Sequence, residues 1–413
     1  MSAAAARRKK QLAAKQASLN ESGLDPISKQ LNSLLESTET IDESTAYEAL
    51  QLAQSQVRKS VKSGEFLKAT NTYGYDVALK ILNHNRASVA SQLLILLSQV
   101  LTETHTPCTE EWIQKIQTLD ESYIRACAFA ESKVEQVRLY KLHAKFLRNC
   151  LGWSEALGST TLGAIPIHAL VAKHSWFLSE SATEEESSEK NGEGGVGGDD
   201  DDEENANHSK MYHQAHSITH YALAEQPQEI ISKLRNMPNP TDEETKMGHV
   251  CPPCAREALL TRAILVFCTV ENLRDATTLL QTYLKEIETR DLKELSKSYM
   301  SKTDKKSPSP VIFCSMLLEI LKKDKKTGPL YTWLLKGFSN AELMKMYKPE
   351  ILKGYTTKIG KTYFDIQPPP GMMSTLESMM GMMGGMGGGA GGFGGMNPAM
   401  MQQMMQQMGG MGL

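Results

Sequence analysis

The stretch VRKSVKSGEFLKATNTYGYDVALKIL, residues 57–82, decides the fold. Leading into it, Ala46, Leu50, Ala53, Val57 and Val61 recur at spacings of 4, 3, 4 and 4, the single apolar face of a helix. Lys62, Ser63 and Gly64 break that stripe. Phe66, Ala69, Tyr73, Val77 and Ile81 then restart it at spacings of 3, 4, 4 and 4. A connection this short predicts two amphipathic helices folded into an antiparallel hairpin.

The same grammar recurs downstream. Ala90 to Val100 is a strongly apolar helix core, and Leu139, Leu142, Phe146 and Cys150 form a further stripe. Leu273, Ala276, Leu280, Tyr283 and Ile287 form the cleanest one, followed by Ile312 to Leu321, Leu330 to Leu335 and Ile351 to Ile359. Joints fall at Pro308, Pro310, Gly328, Pro329 and Pro349, and no stretch alternates as a strand would. Three phrases echo one another: SGEFLKATNTY from Ser63, LGWSEALGST from Leu151 and VENLRDATTLLQTY from Val270. Each reads as the bend of a tetratricopeptide-like unit, where a large apolar residue wedges into the hairpin and Ala lets the helices approach. The expected fold is all-α, a tetratricopeptide-like right-handed α-solenoid of stacked antiparallel helix pairs. Such a stack presents extended surfaces instead of a closed catalytic cavity.

Charge is segregated along the chain. Residues 180–204 hold 12 of the 48 acids and one of the 45 Lys and Arg, so the rest carries 36 acids against 44 bases. The acidic stretch, Ser181 to Asn207, reads as a disordered insertion within a solenoid of residues 45–367. Residues 1–44 read as a basic and polar tail, largely disordered. The start, MSAAAARRKKQLAAKQ, lacks acids as mitochondrial presequences do, but has no signal-peptide core and is taken as part of that tail. Residues 368–413 hold 14 of the 22 methionines and read as a low-complexity Met/Gly/Gln tail. No apolar run approaches the ~18 residues of a membrane span.

A basic body seeks an acidic surface. Nucleic-acid binding asks for aromatics interleaved with the charge or a known fold, and neither is present, so an acidic protein partner is expected instead. Arg58, Lys59 and Lys62 line the exposed side of the first helix, and Lys322, Lys323, Lys325 and Lys326 cluster at a joint.

The seven cysteines are scattered and odd in number, which points to a reducing compartment. HVCPPC, residues 249–254, is the sharpest chemical motif. Cys251 and Cys254 have redox or half-zinc-site spacing, but no second C-x-x-C completes a zinc site and no thioredoxin-like sheet supports a redox pair. His213, His216 and His220 fall on one helical face, either metal-competent or an exposed polar face. No phosphate loop, nucleophile elbow or paired-acid motif is found. The reading is non-enzymatic, with no catalytic residue and no cofactor.

VRKSVKSGEFLKATNTYGYDVALKIL resembles the first helical hairpin of the Golgi to ER traffic protein 4 family. YTTKIGKTYFDIQPPPG, residues 355–371, is similar to the family's closing helix and Pro-bearing exit, and LHAKFLRNCLGWSEA, residues 142–156, to a middle hairpin. The resemblance implies a cytosolic adaptor for targeting tail-anchored membrane proteins to the ER. Such an adaptor holds the targeting ATPase with its N-terminal helices and a ubiquitin-like-domain protein with its C-terminal half, and reaches a co-chaperone indirectly. By position, the resemblance implies Arg58, Lys59, Lys62 and Tyr73 as contacts to the ATPase. It implies Ile359, Tyr363, Phe364 and Ile366 as contacts to the ubiquitin-like partner, although those side chains equally suit capping of the core.

The sequence departs from the family's pattern in SQLLILLSQV, residues 91–100, where Gln92 and Ser98 stand and acids are absent. The acidic insertion and the long terminal segments are also extra. Two rival readings remain: a co-chaperone gripping clients through its Met-rich tail, and a zinc- or thiol-dependent enzyme at Cys251 and Cys254.

Overall fold

The computed structural model describes residues 26–36, 41–189, 205–237, 252–288, 292–293, 310–338 and 349–367. Among these, fourteen α-helices and no strand are found. In chain order they are α1 Pro26–Leu35, α2 Glu43–Lys62, α3 Val77–Asn83, α4 Ala87–Glu103, α5 Glu110–Cys127, α6 Lys133–Leu157 and α7 Ile165–Glu189. The second half holds α8 Asn205–Leu223, α9 Pro227–Asn236, α10 Pro252–Thr269, α11 Leu273–Glu286, α12 Pro310–Leu321, α13 Gly328–Phe338 and α14 Pro349–Phe364. Helices pack on their immediate neighbours and on the next but one: α2 on α4, α4 on α6, α5 on α7, α8 on α10, α10 on α12. That is the stacking of an α-solenoid.

The helix starts are written into the sequence. Asp42 accepts from Thr45 N at 2.9 Å to cap α2, and Asn272 accepts from Asp275 N at 3.1 Å to cap α11. Before α6, Ser132 accepts from Glu135 N at 3.1 Å while the Glu135 carboxylate accepts from Glu131 N at 3.2 Å, a near relative of the capping box.

Two apolar cores run in series and meet along α7. Ile167, Val171 and Leu178 close the first core, and Ala172 and Trp176 open the second. Since α7 is apolar on opposite sides, it can be buried between the two halves.

The opening hairpin forms, with differences from the expected one. Ala69, Tyr73, Val77 and Ile81 are buried as the stripe predicts, but Phe66 is exposed. It lies in the first turn of the second helix, just past the Ser63–Gly64 turn. Residues Lys68–Asp76 wind as a π-helix that continues into α3. Gly74 is where that wider coil meets α4: a Cβ there would lie 2.8 Å from Leu97 Cδ1 and 3.0 Å from Ala69 O. Only glycine fits such an approach.

The packed body begins earlier than residue 45. Helix α1 buries Leu31 and Leu35 against α2 and α3, with Ile27 and Leu34 packed beside them at helical spacing, so Pro26–Leu35 is solenoid and not tail. LGWSEALGST is also not a bend. It ends the single 25-residue helix α6, whose Trp153 is buried and donates from Nε1 to Thr106 O at 2.8 Å, so LHAKFLRNCLGWSEA is one helix and not a hairpin. Helix α7 reaches Glu189, inside the acidic stretch, and α8 starts at Asn205. Residues 190–204 of that insertion and the Met-rich tail from residue 368 lie outside the described residues. No helix among the described residues is long and apolar enough to cross a membrane.

Candidate functional site

The N-terminal basic ridge is built by α2. Arg58, Lys59 and Lys62 are exposed and, with Gln51, Gln54 and Ser55, line one open groove. Among the described residues no carboxylate pairs with these three cations, and the groove's other lining groups are uncharged. A row of unneutralised cations at helical spacing is an electrostatic dock for an acidic surface. Beyond the ridge, Phe66 and Leu67 open the second helix of the hairpin, Leu67 77% exposed. They add an apolar anchor that the stripe had placed in the core at Phe66 and overlooked at Leu67.

Tyr73 belongs elsewhere. It is 2% exposed, with its hydroxyl 3.3 Å from Ser28 Oγ on α1, so it fastens the hairpin to the first helix and cannot meet a partner. Its place in the apolar stripe was the better signal.

At the other end, Ile359 is fully buried and Phe364 is buried with its ring 5.0 Å from that of Tyr331. These two cap the core, which corrects their assignment as partner contacts. Tyr363 is half-buried with its hydroxyl hidden and unpartnered, while Ile366 is 36% exposed. Gly360 allows the close fit, since a Cβ there would lie 3.3 Å from Tyr331 Cε1 and 3.7 Å from Ile366 Cβ. Leu330 and Trp333, one turn apart on α13, are the large exposed apolar groups here, Trp333 at 55%. The sequence marks them only as helix positions. Of the lysine cluster, Lys322 pairs with Glu319 at 2.9 Å and Lys325 with Asp365 at 2.8 Å.

Cys251 lies outside the described residues, and Cys254 opens α10 without a described side chain. His213, His216 and His220 of α8 are not an exposed face, since His213 and His216 are half-buried and His220 is buried. His216 and His220 form a hydrogen-bonded chain with α7. A carbonyl only accepts, so His168 Nε2 carries a proton and donates to Leu162 O at 2.7 Å. His168 Nδ1 then accepts from His220 Nδ1 at 2.7 Å, and His220 Nε2 accepts from His216 Nε2 at 3.2 Å. His216 Nδ1 accepts in turn from the Ser175 hydroxyl at 2.9 Å. Every ring is neutral and every proton is used once. Burial pushes His168 down to about 4 and His216 to about 3, and His220 well below the usual range. Burial, with Arg148 and Lys141 nearby, also lowers His213 to about 4.

The family profile described as "GET4: Golgi to ER traffic protein 4" matches residues 66–386. The chain belongs to the GET4 family. The match starts just past the basic ridge and runs beyond Gly371, taking in the first Met-rich stretch. "Protein GET4" of Arabidopsis thaliana is 22% identical over 382 residues, covering 87% of this chain and 97% of that protein. A solved structure titled "Crystal structure of C. therm. Get4" superposes with a TM-score of 0.45 at 16% identity, over 90% of this chain and 98% of that one. GET4 membership gives this α-solenoid a role in the GET pathway and protein partners there.

Proposed function

We propose that this GET4-family chain is a non-enzymatic cytosolic adaptor that bridges the targeting ATPase of tail-anchored proteins to a ubiquitin-like-domain protein, and through it to a co-chaperone. The observation that carries the reading is the ridge of Arg58, Lys59 and Lys62, three exposed cations without a carboxylate partner among the described residues, beside exposed Phe66 and Leu67. Charge of this kind steers an acidic partner and sets its register, while the apolar pair supplies the desolvated contact. The ubiquitin-like partner sits at the C-terminal end, where Leu330, Trp333 and Ile366 are exposed and Tyr363 is half-buried.

The test is a pull-down from cytosol with the full chain and with the R58E/K59E/K62E variant. The native chain recovers both proteins, and the variant loses the ATPase alone. Native ATPase binding weakens as salt rises, because exposed charge pairs are screened. Recovery of neither partner by the native chain overturns the adaptor reading. Equal ATPase binding by the variant removes the ridge from it.

A further inference from the structure

Asp120 of α5, His143 of α6 and His174 of α7 meet inside the first half of the solenoid, 1%, 0% and 3% exposed. His143 Nε2 and His174 Nε2 stand 2.8 and 2.7 Å from the same oxygen, Asp120 Oδ1. One ligand atom from each residue lies within 4.8 Å of the other two. No Lys or Arg pairs with this carboxylate among the described residues. Among the described residues this carboxylate is held by the two imidazole nitrogens, where three helices meet. Buried charges are ordinarily paired with a countercharge or engaged by a metal.

We propose that Asp120, His143 and His174 form a binding site for one divalent first-row transition metal ion, of which zinc is the best fit. Two imidazoles and a carboxylate are a donor set that zinc accepts in three-ligand sites. In a tetrahedral site with bonds of about 2.0–2.1 Å, neighbouring ligand atoms stand about 3.3 Å apart, so the two contacts widen by roughly half an ångström. Each imidazole gives its Nε2 lone pair to the ion and keeps a proton on Nδ1, an atom that on His143 is buried without a hydrogen-bond partner among the described residues. No oxidant is needed. The cation ties α5, α6 and α7 at a single point.

The surroundings hold the ligands in place. His143 lies flat on Tyr123, ring centroids 4.2 Å apart at 14°, and the Tyr123 hydroxyl donates to Leu139 O at 3.0 Å. His174 also lines a cavity of about 20 Å³ shared with Ser175, His213 and His216, enough for one water. That cavity is the way in, and a water held there would be the fourth ligand. Of its other histidines, His216 is bonded to Ser175 and His220, and neither it nor His213 is part of the ligand set.

Full-length protein is stripped with a chelator and titrated with zinc by calorimetry and with cobalt(II) by visible absorption. One equivalent is expected, with cobalt d–d bands but without the near-ultraviolet thiolate band that a Cys251/Cys254 site would add. The C251A/C254A and H213Q/H216Q variants retain the uptake. H174Q and D120N weaken it at least about tenfold, as loss of a metal contact requires. Because D120N leaves a disturbed core, H174Q is the deciding variant once circular dichroism shows it folded, and zinc should raise the melting temperature of the native chain but not of H174Q. No stoichiometric uptake, a thiolate band, or uptake unchanged in H174Q and D120N would overturn the site and leave these residues a hydrogen-bonded network only.

Discussion

His220 Nδ1 lies 2.7 Å from His168 Nδ1, and between two buried neutral imidazoles that contact holds a single proton. It joins α7 to α8 where the two cores meet. Protonating either ring would set two donors against each other, and Arg148 of α6 and Arg262 of α10, with His213 and His216, already face this chain with positive or potentially positive groups.

Acid should therefore loosen the protein well above the range where carboxylates titrate. A histidine held below its unfolded pKa of about 6.5 stabilises the fold fully above that value. The stability is lost as pH falls toward the folded pKa, about 4 for His168. Each such ring contributes a slope approaching about 1.4 kcal/mol per pH unit within this window. Urea unfolding at pH 7.5, 6.0 and 5.0 should show steadily falling stability and a flatter dependence in H168Q/H220Q. Equal stability at the three pH values would refute the buried neutral chain.

Gly74 should tolerate no side chain. G74A places a methyl 2.8 Å from Leu97 Cδ1 and 3.0 Å from Ala69 O, and overpacking of this kind costs about 1–3 kcal/mol. Adding L97A removes one clash and leaves the other, so the double variant should be less unstable than the sum of its parts. Strict additivity in chemical denaturation would show that the π-helix shifts to make room.

The C-terminal residues should separate by what they touch. I359A empties a fully buried position and should cost about 2–5 kcal/mol. W333A removes a largely exposed side chain and should move stability by no more than about 0.5 kcal/mol, while weakening capture of the ubiquitin-like partner. Normal capture by W333A would exclude this face from the interface.

Deleting residues 384–413 should leave both proposed partner contacts in place, since neither surface includes them. A loss confined to client transfer would assign the Met-rich tail to clients. Loss of either partner in the pull-down would mean that the tail belongs to an interface.

The periodic stripes at residues 46–61 and 273–287 were legible because each lies on one face of one helix, where the burial of Ala46, Val57, Ala276 and Tyr283 follows the spacing alone. Arg58, Lys59 and Lys62 were legible for the same reason, being on the opposite side. Tyr73 and Ile359 were misassigned because resemblance by position ignores depth, while their own place in a stripe pointed to the core. Phe66 failed in the other direction, since a stripe cannot tell which turn of a helix has reached its neighbour. Helix α1 carries its own stripe, Ile27, Leu31, Leu34 and Leu35, but that stripe is confined to ten residues within a polar stretch, and only its packing on α2 and α3 marks it as body and not tail.

By itself the sequence determined the helical class, the opening hairpin, the exposed cations of α2 and the family, because all of these are written in local spacing or in linear motifs. Only the tertiary structure decided that Asp120 meets residues 23 and 54 positions away, and that His168 meets His220. Those meetings depend on the register in which α5, α6, α7 and α8 slide against one another. Packing across four helices sets that register, and no period along one helix encodes it.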